Sequence, residues 1–547
     1  MVVRSAISTS PFVFPSFYKT RVALATVALP PIVLAACVSP QATAATIDVE
    51  ITVDGETVAL PVPAGSTVQF ALDQGGAILG ELDRVDPPSY AVVTDGTEIE
   101  VTRRIERFEV EELVLPFSRQ TIRNEGLPEG QTRLLQAGSN GLEEITYRIV
   151  EEEGDEMSRQ PVKRTVVAEP LSEIIMIGAQ AAHTPLNIKG TLAYLSGGNA
   201  WVIDGNSANR RPVVVSGDLD GQIFRLSPDS EWLLYTRGLD EESDDFNSLW
   251  VINIEEEDAN PINLKAQNIV HFADWAPESD SPVLAYSTAE PRQSPPGWQA
   301  NNDLILVNLS SAGHVLRERE LLPANPGGQY GWWGTSFAWA PDGVHIGYAR
   351  ADSVGLIDSR EPAFEPLHEI VPLLTGSDWA WVPGVAWGPN SRTLYLVDHA
   401  LPLGIEDPAA SPAFDLVAIS EPGESPLPLV TRTGMFAYPS SSPVELTESG
   451  EIASQVAFLQ ALSPLESETS SYRLMVMDRD GSNVRALFPK SGEPGIAQNE
   501  LSPASWSPDS NRLALIYRGD VWIVDAITGA GQQLTGDGLT IALDWKP

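Results

Sequence analysis

The sequence predicts a mainly β chain: a C-terminal β-propeller of seven blades, preceded by an elongated β module and a small α+β module. Three observations carry that expectation. Gly and Pro number 43 and 44 of 547 residues, which favours many turns and therefore many short strands. A phrase built around Trp and Pro recurs through the last two-thirds of the chain. A hydrophobic fraction of 43% supplies ample core and excludes a disordered chain despite a net charge of −40. That charge, from 34 basic and 74 acidic side chains, counts against nucleic acid as a partner, because a polyanion needs Lys and Arg to displace its counterions.

The elements follow in chain order. Residues 1–36 carry Arg4, Lys19 and Arg21 and no acid, then an apolar run from Val22 to Ala36 that stops at Cys37. The run is short of the roughly 20 apolar residues a spanning helix needs, and Pro30-Pro31 interrupts it, so it reads as a secretory signal peptide. Leu34-Ala35-Ala36-Cys37 resembles the bacterial lipobox, and the resemblance implies a lipidated Cys37 at the start of the mature chain. An ordinary signal peptide followed by a chance Cys is the alternative. Two or more acyl chains on one residue give a stable membrane anchor. The expected location is therefore the outer face of the bacterial cytoplasmic membrane, or the periplasmic or outer-membrane leaflet. Residues 37–46 read as a tether.

Residues 47–103 begin with strict alternation: Ile47, Val49, Ile51 and Val53 on one face, Asp48, Glu50 and Thr52 on the other. Asp54-Gly55 turns the chain into Thr57-Val58-Ala59-Leu60, Val68 to Leu79 reads as a helix, and Glu98 to Arg103 as a closing strand. Strand, turn, strand, helix, strand is a ubiquitin-like layout. With Val53-Asp54-Gly55 and Ile99-Glu100-Val101-Thr102-Arg103, the segment resembles the DUF348-type repeats of bacterial cell-wall proteins.

Residues 104–180 carry Glu112 and Pro116, Glu129-Gly130 and Gly138-Ser139-Asn140-Gly141. The strand Glu144 to Val150 follows, then Glu169-Pro170 and Ile177-Gly178. This combination resembles the G5 domain. The resemblance implies a module that accompanies cell-wall enzymes and adhesins and contacts N-acetylglucosamine-containing polymers; an elongated spacer is the alternative. Some G5 members associate through zinc, but His183 is the only His near this one.

From residue 188 the phrase runs apolar-x-Trp, a small residue, Pro, Asp or Asn, Ser or Gly. It stands as Leu226-Ser227-Pro228-Asp229-Ser230, Trp275-Ala276-Pro277-Glu278-Ser279 and Trp339-Ala340-Pro341-Asp342-Gly343. It returns as Trp387-Gly388-Pro389-Asn390-Ser391, Trp506-Ser507-Pro508-Asp509-Ser510 and Trp545-Lys546-Pro547. Successive spacings are 49, 64, 48, 119 and 39, so one copy within the 119 has decayed, with Tyr438-Pro439-Ser440 or Gln455 to Leu459 as its remnant. Periods of about 40–50 residues with four strands per unit indicate a propeller. Thr191 to Ser196, Ala200 to Asp204 and Pro212 to Ser216 lack a preceding phrase, while Ile541 to Trp545 lacks following strands. One blade is thus expected to be shared by the two ends of 188–547. Seven blades result, or six if residues 388–505 contain an insertion. With Met475 to Asn483 as a third strand and turn, these residues resemble the TolB-like (PD40, WD40-like) repeats.

Chemistry is harder to find. No Gly-x-Ser-x-Gly elbow and no His-Glu-x-x-His occur, and no hydrolase domain is expected beyond Pro547. The six His make no metal set, and His399 beside Asp398 reads as structural. Asp478-Arg479-Asp480-Gly481 begins like an EF-hand loop but lacks its twelfth-position Glu, so a hairpin turn is expected. No cofactor and no metal are expected. One constellation suits binding: Trp333 and Trp381 each lie six residues before a phrase Trp, accompanied by Tyr330, Trp332 and Trp379 among several glycines. In a ring of repeats, equal offset means equal location, so these aromatics are expected on one rim. There they would either stack on a sugar face or a proline-rich peptide, or plug the channel. The expected function is a non-catalytic, monomeric, lipid-anchored envelope protein that contacts cell-wall glycan. The alternatives are a scaffold for an envelope protein, as in TolB or sensor-associated lipoproteins, and a propeller-channel hydrolase.

Overall fold

A computed structural model describes residues 45–547 apart from 126, 153, 180–183, 240–242, 257–258, 278–280, 421–424, 444 and 447–451. The expected signal peptide, Cys37, most of the expected tether and His183 lie outside the described residues. The chain divides into two compact units, 1–113 with 143–166, and 114–142 with 167–547.

In the first unit, Thr46–Val53 and Glu56–Pro63 form a hairpin across Asp54 (φ 54°) and Gly55 (φ 81°), the left-handed pair that a tight two-residue turn requires. Thr97–Thr102 pairs parallel to the first strand, and a short strand not expected from the sequence, Arg84–Asp86, extends the sheet. The helix is shorter than expected: Val68–Gly75, ended by Gly76 in the left-handed conformation. It buries Val68, Ala71 and Leu72 against Val49, Ile51 and Ile99, so the ubiquitin-like layout stands on one small core. Most of a second sheet, Arg104–Leu115, Gly141–Glu152 and Asp155–Ala168, belongs to the same unit.

The second unit begins with a three-stranded sheet, Arg119–Asn124, Glu173–Gly178 and Thr132–Gln136 in that order. This sheet, from the stretch expected as the G5 module, shares a core with the ring. Ile122, Ile174 and Met176 pack with Leu192, Tyr194, Val521, Leu534 and Trp545.

The ring has seven four-stranded antiparallel blades. Blades 2 to 7 begin at Leu219–Leu226, Ala273–Trp275, Ser336–Trp339, Val385–Trp387, Ser440–Ser441 and Ser505–Trp506. Blade 1 takes its inner strand, Thr540–Lys546, from the chain end, and it pairs antiparallel with Asn187–Ser196 (Leu192 opposite Trp545, Ala193 opposite Asp544). This closure removes the open edge that a sheet would otherwise present. The decayed copy is blade 6. Its inner strand is only two residues long, and the turn that follows holds an extra hairpin, Glu445–Leu446 with Ile452–Ala453.

The turn of the phrase recurs with one geometry in four blades. Its last residue is left-handed in four copies: Ser230 (φ 59°), Gly343 (67°), Ser391 (56°) and Ser510 (56°). The preceding Asp or Asn accepts the N–H two residues on, in Asp229–Glu231, Asp342–Val344, Asn390–Arg392 and Asp509–Asn511 at 2.9–3.3 Å. The Trp then fastens blade to blade. Trp275, Trp387 and Trp506 donate their indole N–H to the inner-strand carbonyls of Arg225, Ala338 and Ser440, at 3.0–3.1 Å. Since strands alternate in direction, these turns mark one end of the ring (the phrase end). Connections between blades, and loops between second and third strands, mark the other (the connection end).

Candidate functional site

The connection between blades 3 and 4, residues 323–335, is tied by side chains at several points. Asn302 Nδ2 donates to the carbonyls of Asn325 (3.2 Å) and Gly331 (2.9 Å), and its Oδ1 accepts from Thr335 Oγ1 (2.7 Å). Asp352 accepts the Gln329 N–H (2.6 Å), and Asn325 accepts from the Gly327 N–H and the Arg350 guanidinium, both 3.1 Å. These ties hold Tyr330 at φ 61°, a left-handed conformation that costs a non-Gly residue roughly 1–2 kcal/mol. One 3-10 turn, Gly331–Trp333, follows. Tyr330 and Trp332 are thereby held out into solvent, 41% and 37% exposed. Two exposed aromatic rings thus stand on a loop whose backbone is tied at several points.

Trp333 turns inward as the wedge under that loop. It is half-buried and meets Trp298 edge-on at 6.0 Å, and Trp298 meets His271 edge-on at 4.8 Å. Trp298 stands on a hairpin, Ala289–Pro291 with Trp298–Ala300, inserted between the second and third strands of blade 3. Gly334 lies flat on the His271 ring at φ 97°, where any Cβ would overlap the imidazole. Burial pushes His271 down to about 4, and its Nε2 has no hydrogen-bond partner, so the ring sits neutral in the wedge at neutral pH. Neither His271 nor Trp298 was singled out from the sequence. The turn cluster Ser294-Pro295-Pro296-Gly297 before Trp298 was the available signal.

The expected pairing of Trp333 with Trp381 is corrected by burial. Trp381 is 2% exposed; its indole N–H donates to the Met435 carbonyl (3.0 Å), and its ring packs edge-on against Phe414 at 4.9 Å. Trp379 is half-buried against the same cluster. Equal offset gave both indoles the same kind of connection but different neighbours. Trp381 falls on the core of its own blade, whereas Trp333 meets the inserted hairpin of the blade before. Trp381 is therefore core, and the solvent-facing pair is Tyr330 and Trp332.

Other candidates resolve as structure. His399 is buried, with Nδ1 2.7 Å from the Val371 carbonyl and Nε2 2.8 Å from that of Ser411. Asp478 to Asn483 is a hairpin turn in which Asp478 accepts the Gly481 N–H through its carbonyl. On the inner strands, Asp544 accepts the N–H groups of Leu226 (3.0 Å) and Trp545 (2.9 Å), joining blades 1 and 2. Burial pushes the Asp274 carboxyl up, Arg225 and Lys546 draw it down, and Asp544 raises it further. Among the described residues no group of three or more His, Cys, Asp or Glu is placed to hold a metal ion.

Residues 106–180 match the G5 domain family, and this part of the chain is a G5 domain. Over 202 residues the chain is 28% identical to the resuscitation-promoting factor RpfB of Mycolicibacterium smegmatis. That match covers 34% of this chain and 49% of RpfB, so the chain spans about half the length of this curated relative. The solved structure of HP0197-G5 is 26% identical, covers 14% of this chain and 99% of its own, and has a TM-score of 0.13. A structure from an analysis of two prolyl endopeptidases is 12% identical over 66% of this chain and 50% of its own, with a TM-score of 0.40.

Proposed function

We propose that this is a non-catalytic protein of the bacterial cell envelope, anchored through a lipidated Cys37, that binds cell-wall glycan. In this reading the G5 domain contacts N-acetylglucosamine-containing polymer, and the propeller adds a second contact through Tyr330 and Trp332. The observation that carries it is the pair of solvent-facing aromatic rings on a loop fixed by Asn302, Asn325 and Asp352, since flat rings held rigid in water suit the apolar face of a sugar. The G5 match and the partial likeness to a resuscitation-promoting factor support the same setting.

Retention on purified peptidoglycan tests the reading. The protein is expected to sediment with insoluble wall, and Tyr330→Ala with Trp332→Ala to weaken retention about tenfold, a change of about 1.4 kcal/mol. Trp381→Phe serves as a control that alters a buried ring and leaves retention unchanged. A folded double variant that sediments like the parent removes the propeller contact. Turnover of any glycoside or peptide by the purified chain overturns the non-catalytic assignment.

A further inference from the structure

We propose that the propeller associates head to tail with a second copy of this chain, an apolar finger on blade 5 of one copy entering a socket between blades 4 and 5 of the next. The finger is the loop 400–413, which joins Leu394–His399 to Phe414–Ile419 at the connection end. Leu401, Leu403 and Ile405 stand at alternate positions along it, Leu401 81% exposed and Ile405 fully so. The loop is built rather than slack. The Glu406 carboxylate accepts the N–H groups of Leu403 (2.7 Å) and Gly404 (3.1 Å), Asp407 accepts that of Ala409 (2.9 Å), and Leu374 donates to the Ala409 carbonyl (2.7 Å). A braced loop that holds three aliphatic side chains in water has the character of a contact surface.

The socket is a cavity of about 270 Å³ at the phrase end, walled by Leu356, Leu367, Trp387 and Ile419. Its volume accommodates one or two aliphatic side chains. Arg392 lines it, is exposed, and among the described residues has no carboxylate within 4 Å. On the finger, Glu406 directly follows Ile405. Apolar tip with acid meets apolar hollow with cation, and on a chain of net charge −40 a cation-lined hollow is an uncommon complement. The acid beside the finger also disfavours an anionic bilayer as the occupant. Because second-to-third-strand loops and first-to-second-strand turns lie at opposite ends of a blade, the contact is heterologous. Each added copy leaves one finger and one socket free, so association proceeds past the dimer, to an open filament or, where the rotation closes, to a ring. The monomer expected from the sequence is the opposite outcome of the test.

Sedimentation velocity of the purified chain across about a hundredfold range of concentration tests it. The expected result is a weight-average mass that rises past the dimer, and a mass that stops at the dimer overturns the head-to-tail contact. Ile405→Asp, which spoils the finger, and Arg392→Glu, which spoils the socket, change exposed side chains and should each remain monomeric over the same range. Mixed together, the two variants keep one good finger and one good socket between them, so the mixture should form a dimer that grows no further. A parent that stays monomeric, a variant that still grows, or a mixture that stays monomeric overturns the proposal. A monomeric parent that co-sediments with zwitterionic lipid vesicles overturns it as well and assigns the finger to a membrane.

Discussion

Replacing Glu125 by Ala should loosen the seam where the ring closes. Glu125 follows the strand Arg119–Asn124, and its carboxylate bridges both sides of the seam. One oxygen accepts from the Arg210 guanidinium of blade 1 at 2.5 Å, and the other accepts the N–H of Gly536, beyond the outer strand of blade 7, at 2.9 Å. Arg210 also donates to the carbonyls of Leu534 and Ser207. The pair is buried, with 6% of the Arg210 side chain and 12% of the Glu125 side chain exposed. Removing one partner of a buried ion pair strands the other, a loss of about 3–5 kcal/mol. The unpaired Gly536 N–H, near the surface, adds about 0.5–1 kcal/mol. A chain of two units does not unfold as a single transition, so global melting is a poor readout. Amide exchange across Thr540–Lys546 and Asn187–Ser196 reads the seam directly. If the seam opens as a local unit, Glu125→Ala should raise exchange there by at least a hundredfold, while the pairing of Arg512–Tyr517 with Asp520–Asp525 inside blade 7 changes less. Adding Arg210→Met, which removes the stranded charge, should recover part of the loss. Exchange unchanged at the seam in Glu125→Ala would show that the sheet 119–178 merely rests against the ring.

Three further outcomes follow from the geometry. His271 titrates near 4 in the folded chain and near 6.5 when unfolded, so the unfolded state binds the extra proton between those values; its contribution to stability is full above about pH 6.5 and falls by up to about 3 kcal/mol as pH drops towards 4, a share of the pH dependence that His271→Phe should remove in denaturant titrations. Ser391→Gly, at φ 56° in a phrase turn where blade 4 already has Gly343, should stabilise by about 0.5–1 kcal/mol, and a lower denaturation midpoint would contradict the turn geometry. In the first unit, Arg103 donates to Asp54 (3.0 Å), to the Ile78 carbonyl (2.7 Å) and to Asp83 (2.5 Å), whose side chain is nearly buried; Arg103→Ala should cost that unit about 1–3 kcal/mol, read as faster amide exchange in Thr46–Val53 and Thr97–Thr102.

The ring was legible because its signal is local and repeated. An Asx turn with a left-handed residue needs Asp or Asn followed by Ser or Gly, and an inter-blade indole bond needs Trp at a fixed place before it; the turn marks four copies and the indole bond three. Blade 6 escaped because an inserted hairpin, Glu445–Leu446 with Ile452–Ala453, stretches the turn that would carry the pattern; its two-residue inner strand is no obstacle, since Ser505–Trp506 of blade 7 is as short and carries an intact copy. The rim aromatics were half legible. Offset along the chain places a residue on a connection, but burial depends on which neighbour fills the space. Phe414 and Met435 cover Trp381, while Trp298 props Trp333 and leaves Tyr330 and Trp332 outside. The division of the G5 stretch between two packing units was not legible, because Ile122, Ile174 and Met176 alternate as any half-buried strand does and nothing local records that their core partner lies in the ring.

The glycan reading is tested most directly at Trp332 itself, by ¹⁹F resonances of fluorotryptophan incorporated throughout the chain and assigned by Trp332→Phe and Trp381→Phe. On titration with soluble N-acetylglucosamine oligomers, the Trp332 resonance should move and saturate while that of Trp381 stays fixed. A Trp332 resonance that stays in place while the oligomer binds elsewhere on the protein would contradict the rim as a sugar-stacking surface.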